Sequence, residues 1–150
     1  MIKVLVADDS SVVRELLKDW LSSEPDIEIM ALAKDGEEAF QLTKSLKPDL
    51  IIMDIMMPQM SGIEATERVM AYCPTPILIF SSVVNEQETD ISFEAISRGA
   101  LDVMAKPGEN NKAPENQIKE ELLKKIRLLS RIPVLPHPLA KLRDREKQKK

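Results

Sequence analysis

The chain has 150 residues, 43% hydrophobic and 31% charged, with a net charge of −4, which suits one soluble domain around a single packed core. Seven Lys or Arg against two acidic residues follow Ser130, so residues 1–130 carry −9; an acidic body with only 3% aromatics argues against nucleic acid as the main ligand. No apolar run approaches the roughly 18 to 20 residues of a membrane span, and the opening MIKVLVADDS reaches acidic residues too soon for a signal peptide, so a cytoplasmic protein with no membrane insertion is expected.

Ile2 to Ala7 (IKVLVA) is a nearly continuous apolar run, the pattern of a strand buried on both faces. Val12, Val13, Leu16, Leu17, Trp20 and Leu21 then repeat at helical spacing, with Ser10 as the expected N-cap. Ile27 to Ala33 reads as a second strand. Ala39, Leu42 and Leu46 mark a second helix, which Asp35-Gly36-Glu37 opens with a turn and first-turn acids. Leu50 to Met53 is the third strand; Pro58 and Gly62 break the chain before a third helix over Ile63 to Ala71. Cys73, before Pro74 at that helix's end, is the one cysteine; it excludes an internal disulfide, fits a reducing compartment and is expected to be inert. Pro76 to Phe80 is the fourth strand, Glu86 to Arg98 a fourth helix closed by Gly99, and Leu101 to Ala105 a short fifth strand. Glu115 to Ser130 is the fifth helix.

Five strands alternating with helices imply a parallel sheet covered on both sides. From Arg131 the pattern stops. Pro133, Pro136 and Pro138 forbid a regular helix, and the basic stretch KLRDREKQKK follows. Residues 131–150 therefore read as a linker, with residues 1–130 as the folded domain.

In open α/β sheets, ligands bind beyond the carboxyl ends of the strands. The first strand ends in Asp8-Asp9, the third in Asp54, the fourth in Ser81-Ser82 and the fifth in Lys106-Pro107. If the first and third strands are neighbours, three carboxylates share one cleft, and mutual repulsion makes that costly without a cation. Mg²⁺ suits such a set of oxygens and keeps waters that a phosphate can replace; Mn²⁺ is the other candidate. Lys106 adds an ammonium and Ser81 a hydroxyl, both suited to phosphoryl oxygens. Carboxylate, metal, ammonium and hydroxyl together equip the chain for phosphoryl transfer onto an Asp. The Lys106–Pro107 bond is a cis candidate, because an X-Pro bond lowers the cost of cis to about 0.5–1 kcal/mol.

Other readings fare worse. ADDSSV after the first strand lacks the glycines of a dinucleotide fingerprint, and no Gly-Lys-Ser/Thr phosphate loop occurs. An aspartate-nucleophile phosphohydrolase would need a second Asp where Met56 stands.

VLVADDS, IIMDIMMPQMSG, ILIFSS and GALDVMAKP, in this order and spacing, resemble response-regulator receiver domains, over residues 1–130. The resemblance implies a flavodoxin-like (βα)5 three-layer sandwich with sheet order 2-1-3-4-5. It also implies phospho-accepting Asp54, with Mg²⁺ on Asp9, Asp54 and the Met56 carbonyl and Asp8 acting through water. Ser81 would be the switch hydroxyl, beside a small Ser82 that leaves the site open, and Lys106 the phosphate contact. The phosphodonor would be a histidine kinase, and the output surface the fourth helix, fifth strand and fifth helix. VLVADDSSVVRELL and GALDVMAKP resemble the N-terminal regulatory domain of chemotaxis protein-glutamate methylesterases, which implies a kinase of the chemotaxis type and an esterase output domain. The esterase itself is not in these residues: no G-x-S-x-G-like turn occurs, and the only histidine is His137 in the linker. The alternative is a stand-alone receiver that acts by protein binding. Receivers usually carry an aromatic three residues before the lysine; here that place holds Val103. Apolar Met56 and Val83 flank the site and are expected to slow water attack on a phosphorylated Asp54.

Overall fold

A computed structural model describes residues 1–84 and 89–136. The elements alternate as expected: β1 (Ile2–Ala7), α1 (Ser11–Ser22), β2 (Ile27–Ala33), α2 (Gly36–Leu46), β3 (Leu50–Met53), α3 (Gly62–Tyr72), β4 (Ile77–Ser81), α4 (Thr89–Ser97), β5 (Asp102–Ala105) and α5 (Glu115–Leu129). All strand pairs are parallel and the sheet order is β2-β1-β3-β4-β5. This is the flavodoxin-like arrangement, with helices on both faces. The expected start of the fourth helix at Glu86, His137 and the basic stretch of the linker lie outside the described residues.

The period of two along each strand divides the core between the two faces. Val4 and Val6 of β1 join Leu50, Ile52, Leu78 and Phe80 under α1 and α5, where Leu17, Trp20, Ile118, Leu122 and Ile126 meet them. Leu5 and Ala7 point the other way, with Ile51, Met53, Ile77 and Ile79, against Phe40 of α2, Ala65 and Val69 of α3, and Ala95 of α4. The central strands are sealed on both sides; β2, at the edge, is only half-buried along its middle.

Ser10 caps α1, its hydroxyl accepting from the Val13 amide at 3.3 Å, and Asp35 caps α2 by accepting from the Glu38 amide at 2.7 Å. Gly99 closes α4 at φ +121°, a conformation that glycine adopts without a Cβ penalty. One position departs from the periodic reading. Val12, grouped with the core-facing residues of α1, lies 76% exposed, where it lines the cleft described below rather than the core. Among the described residues no helix is long and apolar enough to cross a membrane.

Candidate functional site

Ladder register brings the strand ends together. Ala7 pairs with Met53 and with Ala33, and Ser81 pairs with Ala105. The residues that follow Ala7, Met53 and Ala105 are Asp8, Asp54 and Lys106. The Asp54 amide donates to the Ala7 carbonyl at 2.9 Å, the Asp8 amide to Ala33 at 2.9 Å, and the Lys106 amide to Ser81 at 3.2 Å. Backbone hydrogen bonds thus run up to the site before the side chains diverge.

The Lys106 ammonium lies 2.6 Å from Asp8 Oδ2 and 3.2 Å from Asp54 Oδ2. All three side chains are buried, whereas Asp9 is exposed. The second oxygens are held by backbone: Asp8 Oδ1 accepts from the Ser10 amide at 2.9 Å, and Asp54 Oδ1 from its neighbour Ile55 at 2.8 Å. Burial pushes the Asp8 carboxyl above its ordinary range, and the lysine and the Ser10 amide pull against that rise. Asp8, Asp9 and Asp54 each offer an oxygen within 4.8 Å of the others. Such a set of hard oxygens fits a small divalent cation, with Asp9 at the solvent side.

The loop after β3 is shaped by close backbone approach. A Cβ on Gly62 would lie 1.7 Å from the Asp54 carbonyl oxygen, and one on Gly36 2.1 Å from that of Met60. The Gly62 amide donates to the Ile55 carbonyl at 2.8 Å, so the loop turns back on itself before α3 begins. That turn leaves Met56 at the rim, 64% exposed, lining a cleft of about 530 Å³ with Asp9, Asp54, Val12, Ser82, Lys106 and Pro107. Val83 does not join this lining; it packs, half-buried, against the core beneath α2, α3 and α4.

Ser81 is fully buried, and its hydroxyl accepts from the Val83 amide at 3.4 Å, within its own loop. Ser82 is exposed, and its carbonyl accepts a hydrogen bond from the Asn110 side-chain amide. That bond joins the loops after β4 and β5. Val103, half-buried on β5, borders a cavity of about 460 Å³ with Val84, Ser92, Asn111 and Gln117, between α4 and α5.

The cis expectation fails. No peptide bond among the described residues is cis, so the Lys106–Pro107 bond is trans. The ammonium reaches both carboxylates without that bend, and trans is the cheaper isomer by about 0.5–1 kcal/mol. Sequence reasoning missed Arg14 and Asn110. Arg14 follows Asp9 by five residues, one to two helical turns along α1 from the acidic pair, and that proximity was the available signal.

A family model for the response regulator receiver domain matches residues 4–116. The chain is 44% identical over 126 residues to the protein-glutamate methylesterase/protein-glutamine glutaminase of Methanococcus maripaludis, covering 84% of this chain and 34% of that protein. The Thermotoga maritima protein of the same name is 43% identical over 127 residues, covering 85% and 37%. The chain thus spans about a third of the length of these curated relatives. Among solved structures, the response regulator domain of Thermotoga maritima CheB matches with a TM-score of 0.81 at 41% identity, over 89% of this chain and 98% of that one. The CheX-CheY-BeF3-Mg+2 complex from Borrelia burgdorferi matches with a TM-score of 0.71 at 25% identity, over 85% and 87%.

Proposed function

The chain belongs to the response regulator receiver domain family, and from that premise we propose that Asp54 accepts a phosphoryl group from a phosphohistidine on a separate kinase of the chemotaxis type. The observation that carries this reading is the parallel register of β1 with β3, β3 with β4 and β4 with β5, which sets one buried ammonium against two buried carboxylates beside an open cleft. A carboxylate oxygen of Asp54 attacks phosphorus in line, an O–P bond forms, and the P–N bond to the imidazole breaks. The Ile55 amide fixes the Asp54 carboxylate plane during this approach, and Lys106 offsets charge on the phosphoryl oxygens. Asp8, Asp9, Asp54 and the Met56 carbonyl would hold Mg²⁺, which would neutralise the remaining charge, and Mn²⁺ would suit the same oxygens. The Borrelia relative was solved with Mg²⁺ and a fluoroberyllate, which supports this assignment.

The added phosphoryl group brings a charge of about −1.5 to −2. Lys106, drawn toward it, relaxes its hold on Asp8, and the Ser81 hydroxyl, which accepts from the Val83 amide, donates its own proton to a phosphoryl oxygen. Both changes act on the loops that Asn110 joins. A gap of a few kcal/mol between loop states is enough to keep the unphosphorylated form mostly inactive.

The signal leaves by the face formed by α4, β5 and α5. Exposed Phe93 and Ile96 on α4 support an apolar contact there. Residues 131–150 act as the linker to an output domain, which the relatives' names support as a protein-glutamate methylesterase. Intact-mass measurement after incubation with Mg²⁺ and a small acyl phosphate tests the acceptor. The unsubstituted chain gains one phosphoryl group and Asp54→Asn gains none; no gain, or an equal gain on the variant, refutes it.

A further inference from the structure

Arg14 closes the first turn of α1 and takes no part in the phosphoryl chemistry above. Its guanidinium Nη1 donates to the backbone carbonyl of Asp8 at 2.7 Å. That carbonyl belongs to the peptide joining Asp8 to Asp9. On the far side of the same turn, the Ser10 amide binds Asp8 Oδ1 at 2.9 Å, and the Arg14 amide donates to the Ser10 carbonyl at 3.0 Å. β1 has already ended: its last ladder partners are Ala33 and Met53, opposite Ala7. Beyond that point the Asp8 amide still pairs with Ala33, but the Asp8 carbonyl has left the sheet and takes its hydrogen bond from Arg14.

The orientation of this one peptide decides how the Asp8 and Asp9 side chains diverge, one buried toward Lys106 and the other to solvent at the cleft. We infer that Arg14 is a positioning residue whose bond to the Asp8 carbonyl holds the Asp8–Asp9 peptide in the geometry that binds the divalent cation. The inference rests on the metal-dependent reading of the site. It has a property that separates it from bulk electrostatics. A cation near three carboxylates competes with Mg²⁺, so removing its charge alone tightens metal binding. Removing a group that orients the ligands weakens binding, typically 10- to 100-fold for partners that support a ligand from behind. The two explanations differ in sign.

The test compares the unsubstituted chain with Arg14→Met, which keeps the aliphatic stem packed, and Arg14→Lys, which keeps charge and one donor. Mg²⁺ binding to the unphosphorylated proteins is measured by titration calorimetry, with urea unfolding as a check on the fold. About a 10-fold weaker Mg²⁺ affinity is expected for Arg14→Met, with Arg14→Lys between it and the unsubstituted chain. At saturating Mg²⁺ the rate of phosphorylation by an acyl phosphate returns to within about twofold, since the defect is in binding. Equal or tighter Mg²⁺ binding by a folded Arg14→Met overturns the inference, as does a rate defect that persists at saturation. Failure of the unsubstituted chain to bind Mg²⁺ brings down the metal-dependent reading, and this inference with it.

Discussion

Lys106 serves as the internal counter-ion of the unphosphorylated site, and replacing it with Met tests that role. Its ammonium lies 2.6 Å from Asp8 and 3.2 Å from Asp54, among side chains that are almost fully enclosed. Removing one partner of a buried ion pair costs about 3–5 kcal/mol, because the charge left behind is neither solvated nor paired. Here the cost depends on pH. Burial already raises the Asp8 carboxyl, and losing the lysine raises it further. A carboxyl whose folded pKa lies above its unfolded value favours the folded state at low pH and penalises it as pH rises through the folded pKa. Lys106→Met is therefore expected to lose about 3 kcal/mol at about pH 8 in chelator and distinctly less near pH 5. For a chain of this length each kcal/mol moves Tm by about 2–4 °C. Urea unfolding, followed by fluorescence of the buried and only tryptophan, Trp20, measures the difference. Saturating Mg²⁺ should narrow it by restoring a cation to the carboxylates. A deficit below about 1 kcal/mol at the higher pH, or one indifferent to both pH and Mg²⁺, would refute the counter-ion argument.

Gly62→Ala forces a methyl onto the Asp54 carbonyl, 1.7 Å away, and overpacking of this kind costs about 1–3 kcal/mol or more; circular dichroism melting should show it, with slower phosphorylation at Asp54. Burial holds the Cys73 thiol up to about 11, so its thiolate is about 100-fold scarcer near pH 8 than that of an ordinary cysteine. Iodoacetamide labelling of the folded chain should be slower by about that factor and rise with pH toward 11. Met56, exposed at the rim of the cleft, should retard water attack on the phosphorylated site; a Met56→Asn variant that keeps its phosphate as long as the unsubstituted chain, or longer, would contradict this. Arg127 holds the Asp26 carboxyl below its usual range, so this pair stabilises the fold above about pH 4 and the benefit disappears as pH falls through the lowered value. Asp26→Asn should flatten the acid limb of the stability profile.

The strands were legible because a parallel strand sealed on both faces must be apolar along its length, so the first polar residue marks its end. Asp8, Asp54 and Lys106 stand at such ends, and once β1 neighbours β3 and β4 lies between β3 and β5, the ladder brings them together. What escaped the sequence is what depends on loops folding across one another. The approach of Gly36 to Met60 spans two loops, and the Asn110 bond to the Ser82 carbonyl joins residues 28 apart. Arg14 looked like one more charged residue on an amphipathic helix; only the departure of the Asp8 carbonyl from the sheet gives its guanidinium a purpose. Val12 fits the apolar stripe of α1 by spacing alone, but it lines the cleft rather than the core. The trans Lys106–Pro107 bond was a matter of reach, which spacing does not encode.

Arg127, near the end of α5, binds Glu24 and Asp26 across 103 and 101 residues of chain, at the turn that enters β2. That turn lies at the amino ends of the strands, and the Asp8–Asp54–Lys106 cluster lies at the carboxyl ends. A six-residue strand such as β1 separates the two by about 20 Å. An output domain carried by residues 131–150, as proposed above, would be tethered on the side away from that cluster. Twenty residues of chain reach at most about 70 Å when fully extended, well beyond the height of the sheet. In the proposed reading the linker is a ruler: its length would set the local concentration of an attached output domain at the α4–β5–α5 face. Changing its length would change that concentration while Asp8, Asp54 and Lys106 stay intact.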